Sequence, residues 1–213
     1  MFRRQSVDKY TYRTVPNLLF TYSRGSVTVE YALIFPVLVL IALILLDFTA
    51  LYANESRLAR ASSSLASVFR ERTLLYEENE YITNTQVDDL LGVANSLLAQ
   101  SQLSGRVNIN VQAVYFDTSS TEVNKVINDE ETISITKLSA INPLPCTPAH
   151  NIESETLTAL SAWTSDVGGT LRWLPVYQIT LCVKGDESFF MKALSHIGVV
   201  LPDIVSSNAV VPR

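Results

Sequence analysis

Sixteen consecutive residues without a charge, Tyr31 to Leu46 (YALIFPVLVLIALILL), limit what this chain can fold into more than any other feature. No polar face interrupts the run at the 3.6-residue period expected of a helix lying on a water-soluble core. Counted from Ser26, a helix rising ~1.5 Å per residue reaches Leu46 after about 30 Å, the thickness of a bilayer's hydrocarbon. The expected form is a transmembrane helix over 26–47, with Asp47 at one interface. The flanks orient it. Residues 1–25 carry Arg3, Arg4, Lys9, Arg13 and Arg24 against Asp8, a net of +4, whereas Arg57 and Arg60 are the only basic residues in the twenty after Leu46. The positive-inside rule then expects a cytoplasmic N-terminus and a C-terminal head across the membrane. A cleaved secretory signal fits poorly. Its apolar core needs only ~7–15 residues, and Leu51-Tyr52-Ala53 offers no small-x-small cleavage pattern.

Composition removes several function classes. The whole chain of 213 residues has a net charge of −5, so residues 26–213 carry −9. An acidic exported body with no basic cluster beyond its N-terminus argues against nucleic-acid binding. Two Cys and two His cannot furnish a Cys/His zinc set resembling a finger or ribbon. The sequence contains no Gly-x-Ser-x-Gly, His-Glu-x-x-His, phosphate-binding or dinucleotide-binding glycine motif, and no EF-hand loop. His150 and His196 are isolated. The expectation is a protein that is not an enzyme and takes no cofactor or metal.

Beyond the apolar run, Leu51, Leu58, Leu65 and Phe69, with Ala61, Ser62 and Val68 between turns, form an apolar stripe that continues the helix as an amphipathic segment over 48–79. Ser62-Ser63-Ser64 makes this stretch thin, and none of the serines is given a role of its own. Glu77-Glu78-Asn79-Glu80 reads as a solvated turn. A second helix is expected from Thr85, with Asp88 as its capping acid and Gly105 as its stop. Val107 to Tyr115 alternates as a half-buried strand, Thr132 to Thr136 repeats the pattern, and Val176 to Leu181 forms a third strand. Asp129-Glu130-Glu131 reads as a solvated loop. Asn142 to Gly169 is a Pro/Thr/Ser-rich excursion, and a short helix near Ser188–Leu194 precedes an apolar tail of poor pattern. The fold class is α+β, with a long N-terminal transmembrane helix and a small antiparallel-sheet head over 80–213. Cys146 and Cys182 both fall in the exported part, where an oxidising compartment makes a disulfide the default. Trp163 and Trp173 flank Gly168-Gly169 and are either packing anchors or an exposed binding face.

One junction carries more than periodicity. Arg24-Gly25-Ser26-Val27-Thr28-Val29-Glu30-Tyr31 resembles the class III leader junction of type IV pilins, in the Gly-x-x-x-x-Glu-Tyr form of the Flp/Tad branch. Tyr31-Ala32-Leu33-Ile34-Phe35-Pro36 is similar to the Glu-aromatic-Ala…Pro signature of the TadE/TadF pilin-like proteins. Arg70-Glu71-Arg72-Thr73-Leu74-Leu75-Tyr76 resembles the TadF branch in particular. The resemblance implies a pilin-like fold and a basic leader over 1–25, cut between Gly25 and Ser26 by an aspartic prepilin peptidase. Gly25 would let the peptidase's carboxylates approach an extended backbone. It implies that Glu30 pairs with the N-terminal amine of a neighbouring subunit, since a carboxylate in hydrocarbon must find a cation or take up a proton. Tyr31 and Pro36 belong to the same packing segment, and Pro36 is expected to kink or locally unwind the helix. The implied partners are a TadE-like minor pilin, Flp pilin subunits, the peptidase and membrane lipid. The implied role is assembly, at initiation or at the tip, of an adherence pilus anchored in a bacterial inner membrane. The competing expectation is an uncleaved, signal-anchored protein with a periplasmic ligand-binding or enzymatic head.

Overall fold

A computed structural model describes residues 23–71, 80–101, 103–141, 145–148, 150–151, 153–165, 169–184, 196, 198 and 203–212. The chain divides into two compact units, 1–45 and 46–213. Helix α1, Ser23–Arg70, contributes to both. In the first unit its side chains from Thr28 to Leu43 are all exposed. In the second, Leu58, Ala61, Ser62, Leu65, Ala66 and Phe69 are buried while Arg57, Arg60, Ser63, Ser64 and Ser67 face solvent. Spacings of three and four residues place the buried set on one stripe. Val68, counted with the stripe in the sequence, is on the exposed side.

Helix α2, Asn84–Leu97, begins one residue earlier than the sequence pattern suggests and is capped by a different residue. The Thr83 hydroxyl accepts from Gln86 N, and the Gln86 side chain accepts from Thr83 N, a reciprocal capping box. Asp88 is therefore not the cap; it pairs with Lys137 at 2.9 Å. Nor is Gly105 the stop, because the helix closes at Leu98. Gly105 instead takes φ +74° in the turn that follows, where its N–H donates to Asn95 Oδ1 at 2.9 Å.

Four strands form an antiparallel sheet in the order β2-β1-β5-β6: β1 is Asn108–Val114, β2 Ile133–Lys137, β5 Val176–Val183 and β6 Ile204–Val210. Strand β6 lies in the tail whose pattern gave no strand signal. A hairpin of β3, Trp163–Ser165, and β4, Leu171–Trp173, stands apart as a two-stranded sheet. A single turn, α3, covers Glu155–Thr158. Residues 72–79 and the helix expected near 188–194 lie outside the described residues.

The inner sheet face presents Ile109, Val111 and Ala113 of β1, Tyr177, Ile179 and Leu181 of β5, and Ile135 of β2. With the stripe of α1 and with Val87, Leu90 and Ala94 of α2 they make the core. The outer face is polar yet also covered. All seven residues of β1 and all eight of β5 are buried, so β1 is not the half-buried strand its alternation suggests. Register places Asn110 opposite Thr180 and Gln112 opposite Gln178, and Thr136 and Ser134 flank them on β2. Asn110 Nδ2 donates to Thr136 Oγ1 at 2.6 Å and to Ser134 Oγ at 3.2 Å.

The cover is the excursion between β2 and β5. Cys146 and Cys182 are joined in a disulfide, which fastens the excursion to β5. Gln178 Nε2 donates to the His150 carbonyl at 3.2 Å, and Leu157 of α3 is buried. Closing a loop of this length contributes about 3–4 kcal/mol by chain entropy.

Candidate assembly helix and the head that supports it

The first turn of α1 contains Gly25 and Ser26, so the expected processing junction is helical in the uncut chain. One turn on stand Glu30 and Tyr31, both exposed. Tyr31 stacks on Phe35 with ring centroids 6.0 Å apart and 18° between planes, as i, i+4 neighbours do. Pro36 lies inside α1, which remains helical through it. Of the expected kink or local unwinding, the helix shows no unwinding, and Pro36 cannot donate to the Ala32 carbonyl, the cause for which a kink is expected. Val29, Tyr31 and Leu46 are 67%, 69% and 66% exposed, and the apolar residues between them are exposed as well, apart from the half-buried Ile44. This segment is long and apolar enough to cross a membrane. Its geometry offers a continuous lipophilic rod with one carboxylate near its start.

In the head, two clusters hold the amphipathic half of α1, and a third braces the second of them. Ser62 is fully buried, and its hydroxyl meets Ser206 Oγ at 2.8 Å and accepts from Asn208 Nδ2 at 2.5 Å. This serine therefore has an individual role, locking α1 to β6. Its place on the apolar stripe was the available signal; its partners lay in a tail without pattern. Phe69 begins an aromatic series: Phe69 against Tyr177 at 5.5 Å, Tyr177 against Tyr115 at 6.3 Å, and Tyr115 against Tyr81 at 5.1 Å.

Glu80 closes that series and is not the solvated turn residue its acidic neighbours suggest. Its carbonyl accepts from Tyr115 Oη at 2.8 Å and Tyr177 Oη at 2.7 Å. Its carboxylate takes both Arg172 Nη atoms, at 2.7 and 2.5 Å, in the fork geometry that guanidinium favours. Nearby, Tyr81 Oη donates to Glu131 Oε1 at 2.9 Å, and that bond, with burial and the carboxylate's charge, raises the Tyr81 pKa above its ordinary value. Asp117 is held below the usual carboxylate range by bonds from Ser119.

Trp163 and Trp173 face each other across the hairpin at 5.4 Å, and both are half-buried, which favours the anchor reading. Trp173 Nε1 donates to the Thr121 carbonyl at 3.0 Å. Lys125 Nζ sits 4.0 Å from the Trp173 ring centre and donates to the Thr158 carbonyl at 2.6 Å; burial lowers its pKa. Among the described residues no three of His, Cys, Asp and Glu gather as a metal site. His150 contributes its backbone carbonyl, and His196 is exposed.

A protein-family model described as "Putative tight adherence pilin protein F", TadF, matches residues 18–213. The chain belongs to the TadF family. The match begins ahead of the Gly25–Ser26 junction and runs through the helix, the sheet and the disulfide. No curated protein and no solved structure matches. TadF membership makes the chain a structural, non-catalytic minor pilin or pseudopilin of the Tad/Flp pilus system. The observed architecture agrees with it: an apolar N-terminal helix long enough to span a membrane and a small α+β head on an antiparallel sheet.

Proposed function

We propose that this TadF protein is a prepilin whose basic leader, residues 1–25, is removed between Gly25 and Ser26 on the cytoplasmic face, after which it takes part in starting or capping a Tad/Flp-type adherence pilus. The supporting observation is the family match across a junction in the first turn of a helix whose following apolar residues are exposed. Because Gly25 lies in the first turn of α1, a peptidase needs that turn to fray. A glycine there favours fraying, since it is about 1 kcal/mol less favourable in a helix than alanine.

Residues 26–47 then cross the inner membrane with the head, residues 80–213, in the periplasm, and 48–79 connect the two. Cleavage gives Ser26 a free amine with a reference pKa near ~8, largely protonated at neutral pH. Glu30 lies four residues on, at the depth where a neighbouring subunit presents the same amine. An ion pair between subunits there relieves a carboxylate that otherwise costs ~2.5–3.5 kcal/mol toward the bilayer centre. Tyr31, stacked on Phe35, and Pro36 shape the packing surface beside it for a TadE-like minor pilin and Flp pilin subunits.

The test is the N-terminal sequence and intact mass of the protein from its native membrane, with and without the prepilin peptidase. A start at Ser26 that disappears without the peptidase is the expected result. A start at Met1 in both samples overturns the reading and leaves an uncleaved signal-anchored protein. Glu30→Ala is expected to be cut normally yet to co-purify poorly with partner pilins.

A further inference from the structure

Two oppositely charged features sit at opposite ends of α2. At its C-terminal end is a groove of about 460 Å³ between α1 and α2, lined by Arg57, Arg60 and Ser64 on one side and Leu97, Gln100 and Ser101 on the other. Arg60 bonds the carbonyl and hydroxyl of Ser56, one turn back on its own helix, and among the described residues neither Arg57 nor Arg60 meets a carboxylate. Glu55 is only two residues from Arg57 and so faces another side of α1. The end of α2 offers these arginines about half a negative charge, and α2 has no basic residue in its own last turn. Two guanidinium charges against that half leave the groove clearly positive, on a body that is acidic overall.

At the N-terminal end of α2 is a held acidic turn. Asn128 Oδ1 accepts from the N–H groups of Glu130 at 3.2 Å and Glu131 at 3.4 Å, and Tyr81, two residues before the Thr83 cap, fixes the Glu131 carboxylate. Asp129 and Glu130 project into solvent, and neither meets a cation among the described residues. The two features are separated by the length of α2, about 20 Å at ~1.5 Å per residue.

We propose that the Arg57–Arg60 groove receives the Asp129–Glu130 turn of a second copy of this chain, joining heads head to tail. The complementarity is between two different patches at opposite ends of one helix. Such a contact is heterologous: it repeats along an axis unless its rotation closes a ring, and it does not form a closed two-fold dimer. Both patches are preorganised, the groove by two packed helices and the turn by Asn128 and Tyr81, so little ordering cost opposes docking. Leader cleavage plays no part in this contact, so its test is independent of the processing reading.

The test uses the full chain in a non-ionic detergent, followed by sedimentation at low and high salt. Wild type is expected to self-associate at 0.05 M NaCl and to dissociate as salt shortens the screening length below ~10 Å. Arg57→Glu with Arg60→Glu, or Asp129→Arg with Glu130→Arg, should each weaken association more than tenfold. Mixing the two charge-reversed proteins should restore it, because each then carries the other's complement. Thermal unfolding and an intact Cys146–Cys182 bridge check the fold, and the milder pair Arg57→Gln and Arg60→Gln should weaken association with less risk to folding. A wild-type protein that stays monomeric at low salt overturns the proposal, including the case where an acidic partner protein binds the groove instead. So do association that ignores salt, as contact through the apolar helix alone would give, and a mixture that fails to recover.

Discussion

Replacing both cysteines, Cys146→Ser with Cys182→Ser, should release the excursion over the outer sheet face while the core remains folded. The magnitude follows from what holds that cover in place. The bridge, over a sequence separation of 36, contributes about 3–4 kcal/mol. Beneath the cover lies an amide and hydroxyl surface, so closing it buries little apolar area. Leu157, the one large apolar side chain the cover fully buries among the described residues, is worth about 1.5–3 kcal/mol. The Gln178 bond to the His150 carbonyl adds about 1 kcal/mol. Against these stand Asn110 Oδ1 and Gln178 Oε1, both buried without a hydrogen-bond partner among the described residues, at about 1–3 kcal/mol each. Without the bridge the two sides come close to cancelling, and an open cover regains water for both oxygens. Limited proteolysis of the full chain in detergent should therefore cut the variant first between 145 and 161. Amide exchange in β1 and β5 should stay slow on the inner, Tyr177-centred side of the core. Urea unfolding should lose no more than about 3–4 kcal/mol. A variant as resistant as wild type over 145–161 would refute the reasoning, and so would simultaneous exchange of the cover and the central strands.

Other perturbations read individual clusters. Phe69→Ala removes a fully buried ring against Tyr177 and should cost about 3–5 kcal/mol in denaturant unfolding. Ser62→Ala strips the buried partner from Ser206 and Asn208 and should cost about 1–2 kcal/mol, more than alanine at the exposed Ser63. Glu80→Gln keeps the carbonyl that receives two tyrosines but breaks the fork with Arg172; since Arg172 is more than a third exposed, the loss should be about 1–2 kcal/mol. Tyr81 should make stability fall at alkaline pH. Its folded pKa is raised, so above the ordinary value near 10 the unfolded chain releases this proton first, and stability drops until pH passes the folded value. Tyr81→Phe should flatten that part of the profile in thermal melts between pH 9 and 11.

Legibility differed between elements for physical reasons. The apolar helix was readable because sixteen uncharged residues admit few environments, and the α1 stripe was readable because Leu58, Leu65 and Phe69 repeat at helical spacing. Strands β1 and β2 were legible by alternation, and β5 as a third apolar segment. Strand β6 was not, because Ile204-Val205-Ser206-Ser207-Asn208 sets polar residues on both faces: Ser206 and Asn208 meet Ser62, while Ser207 meets Thr180 on the other side. No period-2 signal survives when both faces carry polar residues and the strand is half-buried along nearly its whole length. The same cause hid the burial of Asn110 and Gln112, whose residue types normally mark solvent. Glu80 was misread because it ends an acidic run, and only the fold brings Arg172 to it from 92 residues away. The Thr83 cap was within reach of the sequence: Thr-x-x-Gln satisfies the capping-box pattern, and Asp88 drew the assignment to Thr85 instead.

A single helix with two burial regimes ties these observations together. From Thr28 to Leu43 every side chain of α1 is exposed and nearly all are apolar, so nothing among the described residues removes that surface from water. From Leu58 to Phe69 the burial is confined to one stripe, and a buried serine is tolerated because β6 supplies two polar partners. The head covers one stripe of the helix, Leu58 to Phe69: the Phe69–Tyr177–Tyr115 series and the Ser62 triad, with the Glu80–Arg172 fork behind them, all close within residues 46–213. The other half can be satisfied only from outside, by hydrocarbon or by other helices. That division predicts that substitutions at Leu58, Ser62 and Phe69 change unfolding of the isolated full chain, whereas substitutions of Leu33, Leu38 or Leu45 by alanine leave head unfolding unchanged and alter membrane retention instead. Equal effects of both sets on denaturant unfolding in detergent would mean that the two halves of α1 do not act as separate structural solutions.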